Sequence, residues 1–175
     1  MEKEVMKMSE VLNVINTRSS IRKFTDQELP ADVIRTLAIA GLKAPTATNK
    51  QEIHITVVKR DDPIQDEIQQ DLGRPNFFYQ APITMYLSAD ESFSWSAVDA
   101  GIAVENIHLA AAAMGLGSVI LGCMKKVLNG EKKAEYAEKL AFPEGYQFYI
   151  AIAIGYPDME KEPHTIDYDK DVTIL

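Results

Sequence analysis

Two arginines four residues apart with two hydroxyls between them stand out in the run Thr17-Arg18-Ser19-Ser20-Ile21-Arg22-Lys23-Phe24. Arginine grips phosphate or carboxylate oxygens bidentately and serine adds a short neutral hydrogen bond, so this turn can serve as an anion site. A solvated surface loop would have the same composition. A second segment, Ala44-Pro45-Thr46-Ala47-Thr48-Asn49-Lys50-Gln51, is small and polar. Asn49 and Gln51 can each donate and accept, as the imide edge of a planar heterocycle requires. A turn that satisfies its own backbone would use the same groups. The third segment, Gly115-Leu116-Gly117-Ser118-Val119-Ile120-Leu121-Gly122, sets two glycines ahead of an apolar strand that ends in glycine. Such a backbone can be approached closely by a flat ligand. The segment is not a G-x-G-x-x-G fingerprint and follows a helix, which disfavours a dinucleotide site.

The elements that must hold these segments can be read from hydrophobic period and punctuation. Residues 6–17 carry Met8, Val11, Leu12 and Ile15 at helical spacing. A second helix covers 31–43, opened by Pro30 and stopped at Ala44-Pro45, because proline disfavours the helical state just before it. Residues 53–59 and 82–89 read as strands, with an amphipathic helix at 63–72 and a loop at 73–76 between them. Residues 94–114 form a long Ala-rich helix, apolar on nearly every face and so expected to be buried all round, in a core or at a subunit interface. A short strand at 118–122, a charged helix at 129–140 and a strand at 147–154 follow. The last eighteen residues are polar and end in Val172-Thr173-Ile174-Leu175, which needs a surface to lie on; a partner subunit is a candidate. No repeat or low-complexity linker interrupts the alternation, which predicts an α/β or α+β chain.

The 175 residues suit one domain, 1–175, with a sizeable core. A net charge of −8 argues against a nucleic-acid or anionic-membrane binder, though not against a local basic pocket. The single cysteine, Cys123, excludes a disulfide framework, and no Cys/His cluster has zinc spacing, so no metal is expected. The first ten residues have no apolar signal-peptide core. The longest apolar stretch, 97–114, is broken by Asp99, Glu105, Asn106 and His108, so no membrane span is expected. These features predict a cytoplasmic protein.

Taken together, the motifs R-S-S-x-R-x-F, A-P-T-A-x-N-x-Q, D-x-G-x-A-x-E-N-x-x-L-A-A-x-x-x-G-L-G-S and A-I-G-Y-P, in this order over 14–157, resemble the nitroreductase-like FMN oxidoreductase family. The resemblance implies an α+β nitroreductase-like fold, a central mixed β-sheet flanked by helices, and an intertwined homodimer with FMN at its interface. By motif match, Arg18 and Ser20 would hold the FMN phosphate and Ser19 would contact the cofactor. Arg22 would face the N1/C2 side of the ring and stabilise the reduced flavin. Asn49 would bond the pyrimidine edge, and Thr46 and Gln51 would flank the ribityl chain or ring. Ile120, Leu121 and Gly122 would lie along the ring with a backbone N–H toward N5. The implied activity is ping-pong hydride transfer from NADH or NADPH through flavin N5 to a small electron-poor acceptor, such as a nitroaromatic, quinone or enone. A specialised flavin enzyme of the family, a flavin-binding or regulatory protein with little turnover, and a dimeric scaffold without cofactor are the alternatives.

The sequence also departs from the family pattern. Gln51 is followed by Glu52-Ile53 where many members carry Pro-Trp. No clear basic residue follows the G-Y-P turn to complete the phosphate site, leaving His164 or Lys170 as candidates. The 72–82 region is brief, so the substrate side is either open or built from Phe77, Phe78, Tyr79 and Trp95. Outside the motifs, Cys123 is expected to be a buried structural cysteine and His108 a hydrogen-bonded core or interface histidine. His54 reads as structural, Glu105-Asn106 as helix packing, and Phe77-Phe78-Tyr79 as core packing.

Overall fold

The computed structural model describes residues 9–175. Among them the elements run α1 (Glu10–Thr17), α2 (Ala31–Leu42), β1 (His54–Lys59), α3 (Pro63–Leu72), β2 (Ile83–Asp90), α4 (Ser96–Ala113), β3 (Gly117–Leu121), α5 (Lys125–Leu128), α6 (Lys133–Lys139), β4 (Tyr146–Gly155) and α7 (Tyr168–Asp171). Residues 6–8 of the first expected helix lie outside the described residues. Local chemistry sets several of these bounds. Ser9 caps α1 by accepting from the Leu12 N–H at 3.3 Å. At α3, Asp62 accepts from the Ile64 N–H at 3.0 Å and Pro63 occupies the first turn. Gly73 closes that helix in the left-handed region.

The fold is α+β, but the sheet is not the mixed one expected. The strand order is β1-β2-β4-β3, and every pair is antiparallel. The one parallel pairing among the described residues is an isolated bridge between Ser20 and Ser118. The reason is the place of β4. The β2–α4–β3 crossover lays β2 and β3 in the same direction, and β4, last along the chain, inserts between them and opposes both.

Residues alternate across this sheet into two cores. Ile83, Met85 and Leu87 of β2 join Ile152 and Ile154 of β4 under α2 and α4. Tyr86, Phe148, Ala151 and Ala153 face α3, α5 and α6. An irregularity between Leu87 and Ser88 shifts the β2–β4 register by one residue, which lets Phe148 join Ala151 on the same face. Helices α2 and α4 touch closely at Gly41, where an added Cβ would stand 2.8 Å from Ile107.

Three further expectations change. The helix expected over 129–140 is shorter, α6 at Lys133–Lys139, because the chain first turns out of the separate helix α5 at Gly130, where a Cβ would meet the Lys126 carbonyl oxygen at 2.5 Å. Within the chain α4 is buried on one face only: Asp99, Ala103, Ile107 and Ala111 are inside, whereas Val98 and Ile102 are exposed. Cys123 is exposed, because it lies in the turn where the chain leaves β3, and its Sγ accepts from Arg74 Nη1 at 3.2 Å. Phe77 and Phe78 are core residues as expected, edge to face with each other and close to Tyr86. Among the described residues no helix is long and apolar enough to cross a membrane.

Candidate functional site

The end of α1, the start of β3 and the segment after β4 converge on one cavity of about 400 Å³. Backbone bonds staple it. The Ile21 N–H donates to the Ser118 carbonyl at 3.0 Å, and the Thr25 N–H donates to the Tyr156 carbonyl at 2.9 Å. Arg18 and Ser19 line the cavity with Gly115, Gly117 and Ser118. Ser20 is held beside Ser118 through the backbone bridge. Arg18 Nη1 lies 2.6 Å from His108 Nε2, and His108 Nδ1 lies 2.5 Å from Ser118 Oγ. Burial first, then the nearby Arg18 charge, push the His108 imidazole down to about 4.

Neither His164 nor Lys170, the basic residues expected as candidates after the G-Y-P turn, lines this cavity. Residues 158–162 fold back along the 18–23 turn instead. The Asp158 N–H donates to the Lys23 carbonyl at 2.9 Å, and Ser19 Oγ donates to the Lys161 carbonyl at 2.7 Å. Lys161 thereby lines the cavity, flanked by the exposed Glu160 and Glu162. Arg22 is exposed and its N–H donates to Met159 Sδ at 3.3 Å.

A second cavity of about 550 Å³ lies between the end of α2 and the 44–53 loop, lined by Thr46, Asn49 and Gln51 among others. Its loop is strained: Thr48, Asn49 and Gln51 all have φ of 55°. Asparagine tolerates that region, but for β-branched Thr48 it is an outlier of the kind that collects at ligand sites. The strain is held by specific bonds. Both Asp99 carboxylate oxygens accept from the Ala47 N–H, at 3.1 and 3.0 Å. Thr46 Oγ1 accepts from the Gln51 N–H at 2.9 Å, and Gln51 Nε2 donates to Asn49 Oδ1 at 3.2 Å. Lys50 pairs with Asp90 at 2.6 Å, which with the Ser92 hydrogen bonds holds the Asp90 carboxyl down to about 2. Glu52 is buried beside Asp99, and burial first, then that neighbour, push its carboxyl up.

The expected residues thus fall into two groups. Arg18 and Ser19 share one cavity with Lys161, with Ser20 beside it, while Thr46, Asn49 and Gln51 share the other, and no residue lines both. Ile120, Leu121 and Gly122 line neither, and the Leu121 side chain points into the core. Sequence reasoning missed three contributors: Lys161, hidden between two glutamates; Asp99, which positions the second loop; and the contact of His108 with Arg18.

An FMN-sized ligand needs a cationic cradle for its phosphate and open backbone for its ring. Arg18 and Lys161 bring cationic donors to the cavity, and Ser19 Oγ, donating to the Lys161 carbonyl, ties the two segments together. At Gly115, which lines the cavity, an added Cβ would meet nothing within 4 Å beyond its chain neighbours, and the same holds at Gly122 outside it. The Nitroreductase family model matches residues 15–74 and 62–156, and the chain belongs to that family. A relative from Archaeoglobus fulgidus with the provisional name NADH dehydrogenase/NAD(P)H nitroreductase is 31% identical over 91% of this chain and 92% of its own length. A Desulfitobacterium hafniense nitroreductase solved with bound FMN superposes with a TM-score of 0.85 at 27% identity, covering 96% of this chain and all of that one. An FMN-dependent nitroreductase of Clostridium difficile gives 0.82 at 31% identity, over 95% of this chain and 99% of that one.

Proposed function

We propose that this chain, as a single domain, is an FMN-dependent NAD(P)H oxidoreductase that works as a homodimer and reduces electron-poor acceptors such as nitroaromatics, quinones or enones in a ping-pong cycle. The observation that carries the reading is the cavity in which Arg18, Ser19 and Lys161 meet beside Gly115, where an added Cβ would meet nothing beyond its chain neighbours. Bound FMN would supply the two-electron chemistry, accepting hydride from the nicotinamide and passing it to the acceptor. The protein supplies position and charge. Arg18, Ser20 and Lys161 hold the phosphate, with Ser19 at its side. Arg22, exposed and without a side-chain partner among the described residues, is free to face the N1/C2 edge, where its charge stabilises the reduced ring. Asn49 bonds the pyrimidine edge, Thr46 and Gln51 flank it, and the backbone of Ile120, Leu121 and Gly122 runs along the ring.

A homodimer accounts for two observations. The two groups of site residues occupy separate cavities, so a second copy can bring the 44–53 loop of one subunit over the cradle of the other. Val11, Leu12 and Ile15 of α1, Val98 and Ile102 of α4, and Ile166, Ile174 and Leu175 of the tail are exposed apolar side chains that a partner subunit would cover. The test is anaerobic rapid mixing of the holoprotein with NADH or NADPH, followed by a quinone. Bleaching and then recovery of the flavin band, with parallel double-reciprocal plots, supports the reading; bound FMN that neither donor reduces refutes it and leaves a flavin-binding module. In Arg22→Ala, flavin reduction should slow more than nicotinamide binding weakens, and an unchanged reduction rate would remove that role.

A further inference from the structure

The charged end of Arg18 rests on a buried imidazole, and hydrogen-bond chemistry sets the charge of that imidazole. Arginine can only donate, so His108 Nε2, 2.6 Å from Arg18 Nη1, must present its lone pair. The ring proton then sits on Nδ1 and is donated to Ser118 Oγ at 2.5 Å. A doubly protonated ring would bring two N–H groups head to head at Nε2. His108 is therefore neutral where it stands. It is also 1% exposed, and Ser118, which fixes its tautomer, is 2% exposed, so neither group is free to swing to water.

We propose that His108 is a positioning residue that aims Arg18 at the phosphate of the flavin mononucleotide, and does so without cancelling the charge that binds it. A carboxylate in that place would hold the guanidinium equally well, but it would neutralise it and repel the phosphate. Glu105 makes a long ion pair with Arg18, 4.0 Å from Nε, partly exposed and so screened by water, and Glu160 and Glu162 line the same cavity. The guanidinium thus has a neutral buried support on one side and the cavity open to its remaining donors. The consequence is selectivity for the phosphorylated cofactor over riboflavin, which offers the same ring without the anion. This rests on the FMN reading above, and the comparison of the two ligands separates the failure of one from the failure of the other.

The experiment measures dissociation constants of FMN and riboflavin, by quenching of flavin fluorescence, for the full chain freed of flavin and for His108→Leu, His108→Gln and Ser118→Ala. Wild type should bind FMN more tightly than riboflavin. His108→Leu keeps volume but removes the acceptor, and should weaken FMN about tenfold, the scale of one charge-assisted hydrogen bond, with riboflavin unchanged. His108→Gln, whose amide can accept from Arg18, should restore most of the difference. An FMN constant unchanged in His108→Leu overturns the proposal, as does equal weakening of both flavins, which marks a merely structural histidine. Should His108→Leu not fold, Ser118→Ala decides: loss of tautomer control should weaken FMN selectively, and no change overturns the proposal. A wild type that binds both flavins equally removes the phosphate reading itself, and this inference with it.

Discussion

Three glycines of one motif meet three different surroundings, and alanine substitution should separate them. At Gly117 an added Cβ would stand 2.8 Å from Ile21 Cγ2 and 2.9 Å from Ile21 Cβ, well inside ordinary contact. Ile21 is buried and branched, and its N–H is bonded to the Ser118 carbonyl at 3.0 Å, so it cannot rotate away. Overpacking of this kind costs about 1–3 kcal/mol. For a domain of this size each kcal/mol moves Tm by about 2–4 °C, so Gly117→Ala should melt roughly 2–12 °C lower. Because Ile21 lies three residues beyond Arg18, FMN affinity should fall as well. At Gly115 there is open space but φ is +73°, and an L-residue there costs about 1–2 kcal/mol. At Gly122 there is neither a clash nor a left-handed backbone, so Gly122→Ala should change stability by less than about 0.5 kcal/mol. Its effect should appear in flavin binding alone, since the new methyl enters the space assigned to the ring. The assay is thermal unfolding of the three flavin-free variants beside FMN titration. A Gly117→Ala protein as stable as wild type, or a Gly122→Ala protein that is the least stable of the three, would refute the reasoning.

Other perturbations probe separate parts of the account. His108 has a folded value of about 4 against an ordinary 6.5, so the unfolded chain binds the proton first. Stability should therefore be complete above pH 6.5 and decline as pH falls toward about 4, by up to about 3 kcal/mol; denaturant melts across that window should show a shallower slope in His108→Gln than in wild type. Asp99→Ala strips the Ala47 N–H of its acceptor and should cost about 1–3 kcal/mol and weaken flavin binding through the loosened loop. Unchanged melting and binding in that variant would mean the loop holds itself. Light scattering should find wild type dimeric and the double variant Val98→Asp/Ile102→Asp monomeric; a variant that stays dimeric would take α4 out of the interface.

How much of this was legible depended on how local the cause is. The bounds of α3 follow from Asp62, Pro63 and Gly73, all within the segment, and sequence and structure agree on them. The helix expected over 129–140 starts late, at Lys133, because residues 129 and 130 close α5, an element the hydrophobic pattern did not mark, with Gly130 packed against a carbonyl one turn earlier. The antiparallel sheet was hidden because strand order is set by β4, which enters between β2 and β3 from the end of the chain. The site divides in the same way. Arg18, Ser19, Asn49 and Gln51 stand out by type and spacing. The pairing of His108 with Arg18 spans 90 residues and that of Ser19 with Lys161 spans 142, and neither leaves a local mark. Lys161 was further masked by glutamates on both sides, and Cys123 was misplaced because residue type says nothing of a turn that carries it outward.

The central claim is that the cradle of Arg18, Ser19 and Lys161 holds FMN. The visible absorption spectrum of the purified, untagged protein, with release and identification of its chromophore by mass spectrometry, tests this most directly. The purified protein should be yellow and release FMN at close to one per chain. A colourless protein that also fails to take up added FMN would contradict it and withdraw the roles assigned to these residues.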